Sequence, residues 1–505
     1  MKKNVLAVLF IAICLVSLRV EAHADTETEL LVKMLVENGT LTKEQANLLA
    51  STAAERVAKE SKERSDRELR ERAVKKAEEA APAQTEIRTG KDISAEAAKK
   101  WEITARPVET SWDNALTFKT SDSNFEIKLI GRTYADMLYV DGQSTLTELL
   151  RNQGDFLRRN DQAFIRSARL GLEGKIYEDF LFKFEYDFYG DINTKTEVDG
   201  LKSAYVGMEH IPFVGELKIG HMKEPFSLEE LDSFNDITFL ERSLPNVFAP
   251  GYDWGICMNN AWFDERITFA AGAFRNSVHS GTMVSGNEWS ATTRLTGLPW
   301  YEGQGRLMHL GAAYSYRVPE SGGWNNTNEN IRFRSQPELW TRDYVLDTGN
   351  FEINSENLLG AEAAVVYGPL SIQGEVIDAW INSPRDQLST RGNLYGAYAY
   401  ISYILTGESR EYSTSRGEFR SVTPKHVFSF RDRTWGAWEV AARCSYLNLD
   451  DKNLGISGGS LVDATIGLNW YLNPNMRLMV NWVHADRAGY GALDGIQTRA
   501  QWDFE

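Results

Sequence analysis

A two-residue alternation of apolar and polar side chains runs through this chain from about residue 113 to residue 505. In the segment FLFKFEYDFY (180–189), aromatic residues occupy every second position, and charged residues such as Lys183 and Glu185 lie between them. Because successive side chains of a β-strand point to opposite faces, this period predicts strands. For any single strand, the alternative is a soluble sandwich whose apolar face points inward.

The same alternation recurs in distant segments, which favours one large sheet over isolated sandwich strands. The recurring segments are FEIKLIGRTYAD (125–136), DATIGLNWY (463–471), RLMVNWV (477–483) and QTRAQWDF (497–504). Aromatic side chains crowd the ends of the apolar faces: Tyr186, Phe188, Trp470, Tyr471, Trp482, Trp502 and Phe504. Membrane-spanning barrels place such rings at the two water interfaces. We therefore expect apolar faces toward lipid and ionic faces toward an aqueous interior.

A sheet in lipid must close on itself, because an open edge would leave backbone groups unpaired. Asn473, Pro474 and Asn475 predict a tight turn, whereas SGGWNNTNENIRFRSQPE (321–338) predicts a long polar loop. Short turns at one end and long loops at the other are typical of outer-membrane barrels. A strand with its connection uses about 25 residues, which predicts an all-β fold: a transmembrane antiparallel β-barrel of about 16 strands.

Composition and motifs exclude several other classes of protein. With 42% hydrophobic residues the chain can build a large core, and its net charge of -16 argues against a nucleic-acid partner. After the N-terminal segment, no apolar run approaches the ~18 residues of a membrane-spanning helix. No P-loop, GxSxG or HExxH motif occurs, and His221 and His309 lack metal-ligand spacing. We therefore expect no catalytic residues, no metal and no cofactor.

The first 24 residues are typical of an export signal. A basic start and an apolar run at 5–16 precede small residues at 22–24, which predicts cleavage after residue 24. A retained membrane anchor is disfavoured because the apolar run is short. Export and a closed sheet predict the Gram-negative outer membrane as the location. A disulfide between Cys257 and Cys444 stays open at this point.

Residues 25–81 have helical rather than two-residue periodicity. An apolar stripe ends at Gly39, and capping-box spacing at Thr42 starts a second, highly charged helix. Apolar residues are sparse on the face of this helix that could pack against a partner, which leaves two alternatives open: a coiled coil, and a single solvated helix or spacer. We expect an N-terminal α-helical arm in the periplasm over 25–81, a linker over 82–112 and the barrel over 113–505.

Six segments carry a resemblance to a known family. They are FIRSARLGLEGKIYEDF (164–180), LKIGHMKEPFSLEE (217–230), NDITFLERSLP (235–245), YILTGESREY (403–412), GAWEVAARCSYL (436–447) and LNWYLNPNMRLMVNWVHAD (468–486). In this order and spacing, the chain resembles the phosphate-selective porins O and P, which are trimeric outer-membrane channels. The resemblance implies a homotrimer and a water-filled lumen narrowed by an inward loop. It also implies Arg and Lys side chains that replace part of the hydration of a small anion.

The resemblance assigns roles to particular cations. Arg132, in IGRTYAD, stands where the family has a lumen arginine. The family has two consecutive arginines at this point. Arg166 matches the first of them, and Ser167 replaces the second in this chain. Arg242, in FLERS, keeps the Glu-Arg step of the constriction loop.

Two positions on the constriction loop depart from the family pattern. A lysine of the phosphate-selective members falls on Asn235, and Asp236 adds a carboxylate beside it. Residues 1–24 carry a net +2 and residues 25–110 a net -2, so the excess of -16 falls on the barrel. These features would weaken anion binding at the constriction, so a porin of broader selectivity stays an alternative. Glu505, after the closing aromatic residue, is a small departure from the usual assembly signal.

Further cations lie on the predicted polar faces of strands: Arg132, Arg169, Lys175, Lys183, Arg443 and Arg499. For each of them, the alternative to anion contact is an ion pair with Glu173, Glu185 or Glu439 that braces the barrel wall. The candidate pore-lining residues are Arg132, Arg166, Arg169, Lys183 and Arg242. Asn235 and Asp236 are the candidates on the constriction loop.

Two functions follow from these patterns. The first is a passive diffusion porin for small inorganic anions, phosphate or related, or for other small polar solutes, in contact with outer-membrane lipid. The second is a structural protein whose helical arm contacts the cell wall and tethers the membrane through the barrel. Stepwise conductance in planar bilayers is expected of the first function and not of the second alone.

Overall fold

The computed structural model of the chain describes residues 107–141, 145, 146, 148, 161–189, 200–275, 288–318, 330–341, 343–383 and 391–505. Contacts divide the chain into residues 1–103 and 104–505, and the described residues all belong to the second unit. The predicted export signal, the helical arm over 25–81 and the linker up to residue 106 lie outside the described residues. Among the described residues, no helix is long and apolar enough to cross a membrane.

Within the described residues, sixteen antiparallel strands form a closed barrel. Each strand pairs with its chain neighbours, and the last strand pairs with the first through Phe504 and Gly131. The strands are β1 (Phe125–Asp141), β2 (Asp161–Ile176), β3 (Phe180–Asp187), β4 (Leu201–Ile211), β5 (Gly215–Lys223), β6 (Tyr252–Trp262), β7 (Ile267–Arg275), β8 (Trp289–Tyr301), β9 (Arg306–Val318), β10 (Ser355–Tyr367), β11 (Leu370–Asn382), β12 (Arg391–Ile404), β13 (Ala437–Asp451), β14 (Ile456–Asn473), β15 (Met476–Arg487) and β16 (Gly491–Phe504). The predicted barrel and its strand number are confirmed.

The two-residue alternation decides which side chains face the lumen. On β1, Arg132, Tyr134 and Asp136 are buried inside the barrel, whereas Met137 is 64% exposed on the outer wall. Large apolar residues elsewhere repeat this exposure, as Val206 does on β4. The polar face therefore encloses the interior, as the sequence predicts.

One end of the barrel carries mainly short turns and the other mainly long connections. The short turns include residues 177–179, 212–214 and 474–475, and the last of these confirms the tight turn predicted at Asn473. A hairpin of Val108–Asp113 and Ala115–Thr120 lies at the short-turn end, where Leu116 pairs with Leu129 of β1.

Among the described residues, three long connections have segments that fold into the barrel. The constriction segment (224–251) joins β5 to β6 and contains a helical turn at Leu228–Leu231 and a 3-10 helix at Leu244–Phe248. The upper segment (described at 330–341 and 343–354) joins β9 to β10. Its short strand pairs are Asn330–Ile331 with Phe351–Glu352 and Arg334–Ser335 with Leu346–Asp347.

The third inward connection, the lower segment (405–436), joins β12 to β13 at the short-turn end. It contains the strand pair Tyr412–Ser413 and Glu418–Phe419. This segment corrects the expectation that long connections lie at one end only. The physical reason is burial, because Tyr412 and Phe419 pack against apolar residues of the inner wall such as Leu307.

Apolar packing fills the lumen at the long-connection end. Leu346 of the upper segment and Phe248 of the constriction segment pack there against wall residues such as Leu138 and Leu461. This core lies mainly along β10–β16 and the adjoining part of β1, and it leaves a polar space beside β1–β9. Cys257 on β6 and Cys444 on β13 are both free, so the disulfide left open above is absent from the described residues.

Candidate functional site

A cavity of about 630 Å³ lies inside the barrel, between the wall of β1–β9, the constriction segment and the lower segment. Among the described residues, its lining carries twelve cationic side chains and seven carboxylates, an excess of five positive charges. The cations are Arg132, Arg166, Arg169, Lys183, Lys202, Lys218, Lys223, Arg242, Arg294, Arg317, Arg416 and Arg420. The carboxylates are Glu185, Asp187, Glu230, Asp236, Asp253, Glu418 and Glu505. The described lining of this cavity is thus formally positive although the whole chain is acidic.

The structure brings all five candidate cations to this cavity, together with Asp236. Their surroundings differ, however. Arg132 on β1 donates from Nε to Ser167 Oγ at 3.1 Å and from one terminal nitrogen to Asn235 Oδ1 at 3.4 Å. Within the described part of the chain, no carboxylate lies within 4 Å of this guanidinium. Neutral partners orient Arg132 without cancelling its charge.

Arg166 joins the wall to the constriction segment. Its guanidinium donates two hydrogen bonds to the carboxylate of Glu241, at 3.0 and 2.9 Å. Its planar face lies 3.6 Å from the ring centroid of Trp340 in the upper segment. Burial opposes ionisation of Glu241, yet the guanidiniums of Arg166 and Arg499 hold the pKa of Glu241 below its ordinary value. Arg166 therefore holds two inward segments in place.

Arg169 and Lys183 match the bracing alternative set out above. Arg169 lies 3.4 Å from Glu185 and 3.5 Å from Asp187. Lys183 lies 3.1 Å from Glu173, 3.6 Å from Glu185 and, in addition, 3.3 Å from Glu505. These wall pairs neutralise much of the positive charge of β2 and β3.

The remaining braces on polar faces vary in their partners. Lys175 pairs with Glu209. Arg443 contacts Glu229 at 3.0 Å and Glu338 at 2.7 Å rather than Glu439. The Arg443 pairs reach the constriction segment and the upper segment, so this wall cation fixes those segments, whereas the Lys175 pair joins two strands of the barrel.

Arg242 holds the constriction segment to itself. Its guanidinium donates to the backbone carbonyls of Glu229, Glu230 and Asp232 at 2.9 to 3.1 Å. It also lies 3.1 Å from the Glu230 carboxylate. Burial opposes ionisation of Glu230, but Arg242 and then Lys223 lower the pKa of Glu230. Arg242 closes the turn of the segment.

Asn235 turns toward the wall. Its side-chain oxygen accepts from Arg132 and from the Tyr134 hydroxyl, and its amide nitrogen donates to Glu505 at 2.7 Å. Its backbone carbonyl accepts from Arg477 at 2.8 Å. Asn235 thus ties the tip of the constriction segment to β1 and β15.

Asp236 faces the cavity beside Asn235. Burial, and then the nearby Glu505, raise the pKa of Asp236 well above its ordinary value, against the opposing effect of Arg420. A raised pKa reduces the negative charge that Asp236 contributes. The departure at Asp236 therefore weakens the positive field less than its formal charge suggests.

Several cations of the cavity were not among the pore-lining residues predicted from the sequence. Arg294 and Arg317 lie on β8 and β9, where the two-residue period alone would place them inside. Arg416 and Arg420 come from the lower segment, and no described carboxylate lies within 4 Å of either guanidinium. Their only signal in the sequence is an arginine-rich connection with interleaved aromatic residues.

Specific contacts seat the lower segment in the lumen. Arg410 lies 3.0 Å from the carboxylate of Asp232, whose other oxygen accepts from the backbone N–H of Phe419 at 2.8 Å. From the wall, Arg294 donates to the carbonyl of Gly417 at 2.8 Å. The constriction segment and the lower segment therefore meet at Asp232.

Comparison with known proteins gives one family. The model of the family described as phosphate-selective porin O and P matches residues 148–504. Porin O of Pseudomonas aeruginosa is 25% identical over 432 residues, which cover 77% of this chain and 91% of that protein. An uncharacterized protein of Caulobacter vibrioides is 24% identical over 433 residues, with 82% and 76% covered.

Two solved structures match this chain over about three quarters of its length at low sequence identity. An anion-selective porin from Comamonas acidovorans has 12% identity and a TM-score of 0.44, covering 75% of this chain and 100% of that chain. OmpF of Salmonella typhi in complex with daunomycin has 13% identity and a TM-score of 0.44, covering 78% and 100%.

Proposed function

The chain belongs to the phosphate-selective porin O and P family, and from this membership and the charge of its lumen we propose that its channel prefers small anions. The protein is a porin of the Gram-negative outer membrane, and its fold and family are those of channels. What the proposal adds is the sign of the transported charge and the residues that set it.

The excess of five cations among the described lining residues carries the proposal. Charges around a narrow aqueous passage with low-dielectric walls raise the local concentration of counter-ions. Rings of Arg and Lys are the usual basis of anion preference in pores. Guanidinium and ammonium groups also donate well to phosphate and carboxylate oxygens, so phosphate belongs among the expected solutes.

Not every lining cation contributes equally. Arg166, Arg169, Lys183 and Arg242 have carboxylate partners within 4 Å, so an anion would have to compete with those partners. Arg132, Arg416 and Arg420 have no such partner among the described residues. We assign the main attraction for anions to these three guanidiniums. Arg420 also opposes the rise in the pKa of Asp236, the residue next to the position where the family pattern has its loop lysine.

Further parts of the proposal concern the residues outside the described ranges and the assembly. We infer an export signal at 1–24, a periplasmic helical arm at 25–81, and a linker that starts at residue 82. The linker, expected to reach residue 112, gives way to the hairpin strand Val108–Asp113, which precedes the barrel domain expected from residue 113 to 505. Family membership supports a homotrimer. The tethering function rests on the arm alone and is the less favoured alternative.

Reversal potentials in planar bilayers test the proposal. Under a potassium chloride gradient, the purified protein should give stepwise channels that pass chloride in preference to potassium. The double variant R132Q/R420Q should lower this preference by roughly twofold for each charge, since a unit charge about 8 Å from an ion in water is worth roughly 0.5 kcal/mol.

The matched control is R306Q, which removes a positive charge from an exposed turn outside the cavity. It should leave the reversal potential unchanged. Cation preference in the unmodified protein would overturn the proposal, as would an equal effect of R306Q and R132Q/R420Q.

A further inference from the structure

We propose that the lumen contains an oxyanion-binding site that is occupied by the chain's own Glu505 side chain, which acts as a tethered competitor of permeating anions. The donors of this site are Lys183, Ser233 and Asn235. The solutes that it takes are small oxyanions such as inorganic phosphate. The inference rests on the proposed anion channel and adds to it a site and a means by which its affinity is held down.

Three donors surround the Glu505 carboxylate, one from the barrel wall and two from the constriction segment. Its Oε1 lies 3.3 Å from the Nζ of Lys183 on β3. Its Oε2 accepts from the amide nitrogen of Asn235 at 2.7 Å and from the hydroxyl of Ser233 at 3.1 Å, both in the constriction segment. An ammonium, an amide and a hydroxyl that converge on one carboxylate form a polar cradle suited to an oxyanion.

The cradle opens on the transport cavity. Lys183, Ser233 and Glu505 all line the 630 Å³ space, and Arg132 and Arg420 line it as well. Burial opposes ionisation of Glu505, yet Lys183, Arg420 and Arg132 hold the pKa of Glu505 far below its ordinary value. Glu505 is therefore ionised at neutral pH, and the same cations would attract a free oxyanion.

The end of β16 places Glu505 in this position. The preceding Phe504 is buried, and its ring packs over Gly131, where an added Cβ would stand only 2.7 Å from the ring. Trp112 and Trp502 flank the same ring, with centroids 6.4 and 5.1 Å away. With Phe504 fixed among these groups, the next side chain enters the lumen rather than continuing the wall.

Glu505 is the only described side-chain acceptor for two of the three donors, but Lys183 has other carboxylates nearby. Lys183 also lies 3.1 Å from Glu173 and 3.6 Å from Glu185. The Asn235 amide nitrogen and the Ser233 hydroxyl have no other described acceptor for their side-chain donor hydrogens. Loss of the Glu505 charge therefore weakens the hydrogen bonds that occupy two neutral donors and removes one of the three carboxylates near Lys183.

Block of chloride current by inorganic phosphate tests the inference. The variant E505Q should lower the phosphate concentration for half-maximal block by roughly tenfold. That is the factor by which a tethered competitor at millimolar effective concentration weakens a site of sub-millimolar affinity. The matched control is E418Q, which removes a carboxylate from the same cavity without touching the cradle. It should leave the half-maximal concentration within about twofold of the unmodified value.

A second pair of variants separates the cradle from a general change of charge. S233A in the E505Q background should reverse part of the gain, because it removes one donor. E505D keeps the charge but withdraws it by one methylene, so its block should lie between those of the unmodified protein and E505Q. All variants are refolded in detergent, so their recovery does not depend on the cellular assembly machinery.

The outcomes distinguish the inference from the proposed function. Anion-selective channels in which E505Q and E418Q change phosphate block equally, or not at all, would overturn the inference and leave the anion channel intact. Channels that prefer cations would overturn the proposed function. A tenfold gain confined to E505Q, and reduced again by S233A, supports both.

Discussion

The attachment of the constriction segment depends on Arg499, a fully buried guanidinium on β16. It donates two hydrogen bonds to Asp136 of β1, at 2.8 and 2.9 Å. It also donates to Glu241 at 3.0 Å and to the carbonyl of Leu240 at 2.8 Å. The substitution R499M keeps most of the side-chain volume but leaves the carboxylates of Asp136 and Glu241 without this partner.

The magnitude follows from the burial of the pair. Removal of one member of a buried ion pair costs about 3–5 kcal/mol, because the remaining charge stays desolvated. At about 1.4 kcal/mol per factor of ten, the ratio of attached to detached segments should fall by about two to three and a half orders of magnitude. D136N in the R499M background should recover part of this loss, since it removes one uncompensated charge.

Single-channel recording measures the result. A detached constriction segment should widen the lumen, so R499M channels should show frequent transitions to a higher conductance. R306Q, which breaks an exposed pair of 3.4 Å at a turn, should change neither conductance nor unfolding temperature. Quiet R499M channels of unmodified conductance, with an unchanged unfolding temperature, would refute the argument that this guanidinium holds the segment.

Two further perturbations of the inward segments have defined outcomes. Cations around Glu230 and Glu241 lower their pKa values, so their stabilisation is complete above the unfolded pKa of about 4.3 and is lost as the pH falls through the lower folded pKa. The ion pairs of Glu230 and Glu241 should therefore hold the constriction segment from neutral pH to about pH 4, and noisy transitions to a higher conductance should begin below it; their absence at about pH 3 would contradict this assignment. G417V should displace the lower segment, because residue 417 has a φ of +68° and an added Cβ would stand 2.7 Å from a wall hydroxyl. A larger single-channel conductance is expected, and G349V, at a positive-φ glycine with open space around it, controls for backbone strain alone.

The wall of the barrel could be predicted from the sequence because its signal is local. Each strand carries its own two-residue period, so the lumen positions of Arg132 and Lys183 follow from their neighbours in the chain. The tight turn at Asn473 is local in the same sense. Closure of the barrel then follows from the need to pair every backbone group in lipid.

The filling of the lumen could not be predicted in this way because its contacts join residues far apart in sequence. Arg166 meets Glu241 across 75 positions, and Arg410 meets Asp232 across 178. Nothing in the sequence around Arg410 indicates that its connection turns inward. The three-dimensional structure is therefore needed to show which cations have carboxylate partners and which have neutral partners.

Cations that are paired with carboxylates and cations that are held by neutral groups should affect transport differently. A cation with a bonded carboxylate contributes little net field, whereas one held by neutral groups keeps its full charge, as Arg132 does through Ser167 and Asn235. A channel lined only with cations that lack carboxylate partners would bind an oxyanion too tightly to release it, because passage requires weak, repeated sites. Glu505 lowers the affinity of the channel for oxyanions by supplying a competing carboxylate to Lys183, Ser233 and Asn235. Selectivity and release can thus be adjusted by different residues, the first by Arg132, Arg416 and Arg420, the second by Glu505.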